Sequence, residues 1–412
     1  MKNAGLECFE SDSKAHKRKP ARLLVATTPY QLFSLACLLM NDEFRGSAEN
    51  HLIVLRQFES AETLVGKMYE KQLVDGYALV EPYYKSGTIA GMSYIPKYMI
   101  DHGKMRKSLT EKLHGSHLPL QDSYCELYIP YPSRLVLDLK DYFARDASIY
   151  LYDEGTGTYN ASITCHFTMD KYLFRGSEKI GNASKKKKLM NMLVNLMTRG
   201  HYSLTLSGVY VFQPDSFLDR DFPGIEVYAI PTPDEAGKKV LTEMFLEGSS
   251  DLYVMGHCVF LGNNNAIFSI DDLDEIQDDC LRIAGEYLRD QVIFRPHPLE
   301  ERLPEVPNEN VIVDASRSMW EALCLAGFID DESILIGFAS SAQITPNFLF
   351  GLEPTVVFID KLVKTQNYIW VSAHETVELL TARYKNKDRI YTPSTFEEYA
   401  TALSDICESL WY

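Results

Sequence analysis

The chain has 412 residues, 46% hydrophobic and 24% charged, with a formal net charge of −16. That is enough for two domains of roughly 200 residues, each with its own core. The charge argues against a dedicated DNA or RNA binder, though not against a local basic groove.

Residues 1–20, MKNAGLECFESDSKAHKRKP, carry charges with no apolar h-region behind them. They read as a disordered leader rather than a signal peptide, and the basic run KAHKRKPAR could graze an anionic membrane surface. RLLVAT (Arg22 to Thr27) reads as a buried strand and PYQLFSLACLLMND as a helix, with Thr28 as its cap and Pro29 in its first turn. Its apolar stretch Leu32 to Met40 is too short to span a bilayer. HLIVLR, CELYIPYP, RLVLDLKDYFA and ASIYLYDEG continue the pattern of strand, turn and amphipathic helix. Residues 160–230 are less regular; they hold the lysine run Lys185, Lys186, Lys187 and Lys188 ahead of an amphipathic helix, then GVYVFQP and GIEVYAIP as strands. Polar PTPDEAGKK (Pro231 to Lys239) is the candidate linker. Alternation then restarts through LYVMGHCVFLG, a helix over DLDEIQDDCLRIAGEYLRD, QVIFRPHP, NVIVDA, SMWEALCLAGF, SILIGFASSA and PTVVFID. A last helix, STFEEYATALSDICESL, closes the chain on the second domain or packs back on the first. Strand–helix alternation of this kind predicts an α/β protein with two parallel sheets, one in residues 21–232 and one in 233–412, facing a cleft.

Eight cysteines, at positions 8, 37, 125, 165, 258, 280, 324 and 407, show neither a C-x-x-C pair nor zinc-ligand spacing. In a chain this size they look like reduced cytosolic thiols, not a disulfide framework. His114 and His117 have the spacing of a metal pair but sit in a Gly/Ser/Pro-rich loop with no nearby Cys or acid pair. In GHC, His257 and Cys258 are adjacent on a strand and point to opposite faces, which disfavours a thiol–imidazole dyad.

Ligands of open parallel sheets sit beyond the carboxyl ends of the strands, and three polar clusters fall there. Asp153-Glu154-Gly155 follows ASIYLY. It is either a turn or a general base whose pKa a like-charged neighbour raises, with Gly155 and Gly157 permitting close approach of a substrate. Phe294 to Pro298, FRPHP, holds His297 between two prolines on a stiff backbone with Arg295 beside it. Imidazole with guanidinium suits a phosphate leaving group, while the plain alternative is a histidine in a rigid loop. In GFASSAQ, Ser340 and Ser341 precede a helix expected near Ala342, and they cap it, bind an anion there, or both. Lys185 to Lys188 are either a solvated face or a strip for a polyanion. There is no P-loop and no dinucleotide fingerprint in the right context.

The order TPYQ, DEG, RPHP and SS resembles the bacterial sialyltransferases of glycosyltransferase families 38 and 52, which show an acid-acid-Gly motif, an HP motif and a downstream Ser/Thr pair. The resemblance spans nearly the whole chain. It implies a GT-B fold and an inverting, metal-independent transfer of sialic acid from CMP-sialic acid to a glycan hydroxyl, with no cofactor. It further implies Glu154 as general base, Asp153 as positioner of its loop, His297 at the leaving phosphate and Ser340 and Ser341 binding that phosphate. Gly256, Arg295 and Pro298 would complete the donor side, and Thr28, Gln31, Gly155 and the four lysines the acceptor side. A polysialic acid or lipooligosaccharide acceptor, and a cytoplasmic enzyme peripheral to the inner membrane, fit the same family. A CMP-Kdo or other nonulosonate transferase preserves every motif. A teichoic-acid-type CDP-polyol transferase resembles the second half, and a non-catalytic polysaccharide-binding capsule-assembly protein would use the lysine run and the basic leader, with no need of the acid, histidine and serine pair together.

Overall fold

The computed structural model describes residues 19–81, 111, 113, 116–121, 123–131, 134–159, 206–217, 225–246, 253, 257–263, 265, 270–288, 291–298, 300, 302–304, 309–316, 318–365 and 368–411. Its first half opens with β1 (Ala21–Ala26), every residue of which is buried, as a central parallel strand requires. Helix α1 (Pro29–Leu39) follows where expected, Thr28 Oγ1 accepting from Gln31 N and Pro29 filling the first turn. Then come α2 (Asp42–Ser47), β2 (Glu49–Leu55), α3 (Ala61–Glu70), β3 (Gly76–Val80), β4 (Glu126–Ile129), α4 (Arg134–Phe143), β5 (Ser148–Tyr152), a single turn α5 (Thr156–Tyr159), β6 (Leu206–Val211) and β7 (Glu226–Ala229). These strands form one sheet in the order β3-β2-β1-β4-β5-β6-β7, parallel throughout.

The second half contains β8 (Cys258–Leu261), α7 (Leu273–Tyr287), β9 (Val292–Arg295), β10 (Val311–Val313), α8 (Trp320–Leu325), β11 (Ile334–Gly337), α9 (Ser341–Phe350), β12 (Thr355–Phe358), α10 (Tyr368–Arg383), β13 (Ile390–Tyr391) and α11 (Phe396–Trp411), with α6 (Glu235–Phe245) leading into it. Its sheet runs β10-β9-β8-β11-β12-β13, again parallel. The expected α/β class and two-sheet GT-B organisation are therefore present. Each order reverses once, between β1 and β4 and between β8 and β11, and such a switch point opens a crevice at the strands' carboxyl ends.

Residues 231–239 form more than a linker. Asp234 accepts from Gly237 N and caps α6, which packs on α1 and α3 of the first half and on α8 of the second. One buried cluster accordingly runs from β1 through Leu241 and Phe245 of α6 to Leu323 and Phe348. The last helix stays with the second half: α11 packs on α7, and Tyr399 Oη donates to Cys280 O at 3.1 Å. Six cysteines among the described residues form no disulfide. Among those residues no helix is long and apolar enough to cross a membrane.

Candidate active site

At the first sheet's carboxyl edge the motif residues are tied to one another. Gln31 is buried, and its Oε1 accepts from Thr27 N at 2.7 Å and Thr27 Oγ1 at 3.0 Å. It closes the β1–α1 turn instead of presenting an amide to the cleft, and Thr28 is occupied as the helix cap. Thr27 Oγ1 also meets Tyr131 Oη at 3.2 Å, linking the ends of β1 and β4 at the switch point.

Asp153, directly after β5, is fully buried. Its Oδ1 accepts from Gly155 N at 2.9 Å and Tyr30 Oη at 3.1 Å. Its Oδ2 accepts from Phe212 N at 3.3 Å and from Tyr159 Oη. One carboxylate thus gathers α1, α5 and the end of β6. Burial pushes its pKa up and the four donors pull it back. Glu154 differs: it is partly exposed, its N–H donates to Thr158 Oγ1 at 2.9 Å, and its carboxylate takes no hydrogen bond or ion pair among the described residues. Burial first, and the charge of Asp153 second, raise its pKa to about 8. Gly155 turns the chain at φ +112°, where a side-chain-bearing residue is strained.

At the second sheet's edge, β9 delivers Arg295 and His297. Arg295 is tied into the protein: Nη1 pairs with Asp314 Oδ2 at 2.6 Å and donates to Tyr253 Oη at 2.9 Å, Nη2 donates to Ser318 O, and the guanidinium lies 5.7 Å from the Trp320 ring. It fastens the β9 and β10 ends together. The His297 loop is held from below. His297 N donates to Glu300 Oε2 at 3.0 Å and Glu300 N returns a bond to His297 O at 2.8 Å. Glu300 Oε1 accepts from Gln277 Nε2 at 2.8 Å. Gln277 Oε1 in turn accepts from Asn263 N at 2.9 Å and Nδ2 at 2.8 Å. A Cβ on Gly262 would stand 2.3 Å from Glu300 Oε2 and 3.1 Å from His297 N, so this network needs glycine at the end of β8. Burial lowers the His297 pKa below its ordinary 6.5, which leaves a neutral imidazole at pH 7. Pro298 is exposed beside it.

Ser340 caps α9, one residue earlier than expected, with a complete capping box: Ala342 N donates to Ser340 Oγ, and Ser340 N to Gln343 Oε1 at 3.0 Å. Ala339 before it holds φ +58°, a left-handed strain of about 1–2 kcal/mol for an L residue. Ser341 is exposed at the helix N-terminus, where backbone N–H groups and the helix dipole favour an anion.

The two edges meet. A small pocket is lined by Tyr30, Asp153, Gly155 and Tyr159 from the first half and by Ser341, Thr345 and neighbours on α9. The Tyr159 ring stands edge-on to Phe348 with centroids 5.1 Å apart, Gln213 Nε2 donates to Phe348 O, and Arg383 covers the Phe348 ring at 4.8 Å while donating to Ser216 Oγ at 3.0 Å. The acid loop and the serine helix are therefore brought together; neither Glu154 nor His297 lines that pocket. Gly256, His114 and Lys185 to Lys188 lie outside the described residues. His117 sits against the rings of Tyr77 and Tyr69, at 5.1 and 6.1 Å. Tyr30, Tyr159, Gln277 and Glu300 were not singled out from sequence. Tyr30 and Tyr159 sit inside or just beyond the TPYQ and DEG motifs, and Glu300 is three residues past His297 in HPLE, a spacing that lets a carboxylate reach back to a turn N–H.

No protein-family model matches the sequence, and a search of curated proteins finds no match. Among solved structures the chain is similar to the sialyltransferase from Photobacterium damsela, at TM-score 0.45 and 12% identity over 90% of this chain and 81% of that one. It is also similar to the 2,6-sialyltransferase of Photobacterium sp. JT-ISH-224 in a ternary complex with CMP and lactose, at TM-score 0.47 and 12% identity over 90% and 78%. A third is Phytolacca americana UGT2 complexed with UDP-2fluoro-glucose and pterostilbene, at TM-score 0.49 and 11% identity over 95% and 92%. Identities this low carry no residue correspondence and no statement about activity.

Proposed function

We propose that the chain is an inverting glycosyltransferase that moves sialic acid from CMP-sialic acid to a glycan hydroxyl, without a metal. The observation that carries the reading is the inequality of two adjacent carboxylates at the cleft. Asp153 is saturated by four donors, whereas Glu154, with a pKa near 8, has no partner among the described residues and is free to take a proton. A base poised near the working pH is what deprotonation of an alcohol requires. In this reading the acceptor oxygen attacks the anomeric carbon, its proton passes to Glu154, and the bond to the phosphate breaks with its electron pair leaving on CMP. A single displacement of this kind inverts the anomeric centre.

The leaving phosphate has two supports in the second half. The N-terminus of α9, with the Ser340 and Ser341 hydroxyls, offers N–H and O–H donors without reorganisation. His297, neutral at pH 7, donates an N–H to the phosphate rather than acting as a cation. Asp153 positions the acid loop, and Arg295 acts through Asp314 instead of touching the donor. The lysine run at Lys185 to Lys188 is the segment we assign to an anionic acceptor such as polysialic acid, by charge alone. Such an enzyme would act in the cytoplasm, the basic leader drawing it to the anionic inner face of the membrane.

The test is release of CMP from CMP-sialic acid, with EDTA present, with and without sialylated oligosaccharides. Wild type should release CMP only with acceptor. Glu154→Gln should lose about a thousandfold and His297→Ala about a hundredfold. The wild-type rate should climb with pH and level off above about 8, the pKa assigned to Glu154, because only the carboxylate form accepts the proton. Failure to release CMP with any acceptor sinks the sialyl reading.

A further inference from the structure

Six buried side-chain atoms among the described residues have no hydrogen-bond partner: Arg22 Nε, Ser34 Oγ, His51 Nε2, Asn263 Oδ1, Ser316 Oγ and Asp360 Oδ1. Two of them still face a carboxylate, Arg22 Nε at 3.0 Å from Glu126 and His51 Nε2 at 3.7 Å from Glu49. Of the other four, only Ser34 lies elsewhere, in the middle of α1. Asn263, Ser316 and Asp360 all follow strands of the second sheet, at its carboxyl edge. Burying a polar atom without a partner costs about 1–3 kcal/mol, and native proteins keep such atoms rarely. Three on one sheet edge call for a cause.

Their places bear on the anion site. Leu261 of β8 pairs with Gly337 of β11, and Gly337 with Phe358 of β12. Asn263 and Asp360 each lie two residues past their strand's partner of Gly337, and Ser340 three past Gly337 itself. The two residues thus flank the N-terminus of α9 along the edge, one strand away on either side, roughly 10 Å apart at about 4.8 Å per strand. Both residues are only 5% exposed.

The orientation of each oxygen is fixed by what its partner atom does. Gln277 Nε2 must donate to the Glu300 carboxylate, so Gln277 Oε1 faces Asn263 and receives both Asn263 N and Nδ2. Asn263 Oδ1 is thereby turned to the opposite side as a pure acceptor. Asp360 Oδ2 meets His374 Nδ1 at 3.3 Å, which leaves Oδ1 as the second acceptor.

We infer that Asn263 Oδ1 and Asp360 Oδ1 are ligand-recognition groups, accepting hydrogen bonds from the amino or hydroxyl groups of a nucleotide sugar whose phosphate sits on the N-terminus of α9. The inference deepens the function proposed above and rests on it. A phosphate alone is an acceptor and cannot satisfy either oxygen; a nucleoside and a sugar, joined through that phosphate, carry donors on both sides of it. Both oxygens are buried in the ligand-free chain, so ligand binding must expose them.

The test separates recognition from structure by reading ligand affinity and ligand-free stability independently. Asn263→Leu and Asp360→Leu, with Ser34→Ala as a control, are titrated calorimetrically with CMP, UDP and inorganic phosphate, and their melting temperatures are measured without ligand. Ser34→Ala should leave the ligand-free Tm unchanged or raised, whereas Asn263→Leu and Asp360→Leu also give up the Gln277 and His374 bonds and should lower it by about 2–4 °C at most. The two edge variants should bind CMP at least fivefold more weakly while their affinity for inorganic phosphate stays the same, and Ser34→Ala should bind as wild type does. Unchanged CMP affinity in both edge variants overturns the inference. So does loss of folding in both, since it makes the two side chains structural. If wild type prefers UDP to CMP, the sialyl-donor reading fails and the two oxygens are judged on UDP instead. Wild type that binds neither nucleotide nor phosphate overturns the inference outright.

Discussion

The carboxyl edges of the two sheets are finished to different standards. On the first, polar side chains are closed on one another: Asp153 takes four donors, Gln31 takes two, and Glu154 alone is left over. On the second, a well-bonded frame of Gln277, Glu300 and Arg295 shares the edge with buried oxygens that have no hydrogen-bond partner among the described residues. A saturated edge holds one reactive group in a fixed place, which suits chemistry. An edge with fixed, unmet acceptors suits a ligand that supplies the missing donors. The two edges thus differ in hydrogen-bond satisfaction, and the proposed division between an acceptor-side base and a donor-side cradle follows that difference.

The most damaging way to break the first edge is Asp153→Ala. It strands two tyrosine hydroxyls and two backbone N–H groups, all in the interior. Deleting one partner of a buried polar network costs several times what a single exposed contact does, and about 3–5 kcal/mol is expected. Chemical denaturation should show that loss, and an effect under 1 kcal/mol would mean that Asp153 is not the hub of its loop. Asp153→Asn is milder, since its amide oxygen still accepts two of the four bonds.

On the second edge the corresponding break is steric. Gly262→Ala sets a methyl 2.3 Å from Glu300 Oε2, so the carboxylate must leave the His297 N–H or the Gln277 amide. Overpacking of a tight interior costs roughly 1–3 kcal/mol, less than the loss at Asp153. The sharper prediction concerns activity. Turnover should fall at least tenfold, as in His297→Ala but with the imidazole still present, because its loop has lost its floor. Full activity in Gly262→Ala would show that the His297 loop needs no such support.

Much of this was legible in the sequence because parallel sheets announce themselves. All-buried strands such as Leu23 to Ala26 read as apolar runs, and motif residues just past them fall at the carboxyl edge by topology alone. What stayed hidden was partnership at a distance. Tyr30 and Asp153 are 123 residues apart, and nothing local says that one donates to the other. The pairing of Arg295 with Asp314 was hidden in the same way, since Asp314 sits 19 residues on at the end of the neighbouring strand. Pro231 to Lys239 looked like a linker because Pro and Asp serve loops and helix starts alike. Here Asp234 is a cap. The inequality of Asp153 and Glu154 was out of reach as well, since it depends on which of two adjacent acids the fold surrounds with donors.

The smallest effect concerns the seam between the two edges. Glu321 of α8 is buried, and among the described residues no side chain pairs with its carboxylate. Burial raises its pKa to about 7, with its own backbone N–H and the more distant charge of Arg295 pulling the other way; its charge in turn reaches Tyr30 and Cys37 of α1 across the seam. The unfolded chain releases this proton at the ordinary 4.5, whereas the folded protein holds it to about 7. Stability therefore declines as pH rises through that window, since the unfolded state gives up its proton first. Glu321→Gln removes the titration. Its Tm should match wild type at pH 4.5 and exceed it by roughly 2–4 °C above pH 7. A gain of equal size at both pH values would mean that packing, not charge, sets the difference. No gain at either would mean that Glu321 keeps its charge cheaply, with Arg295 or water compensating it, and that the seam between the two edges carries no electrostatic strain.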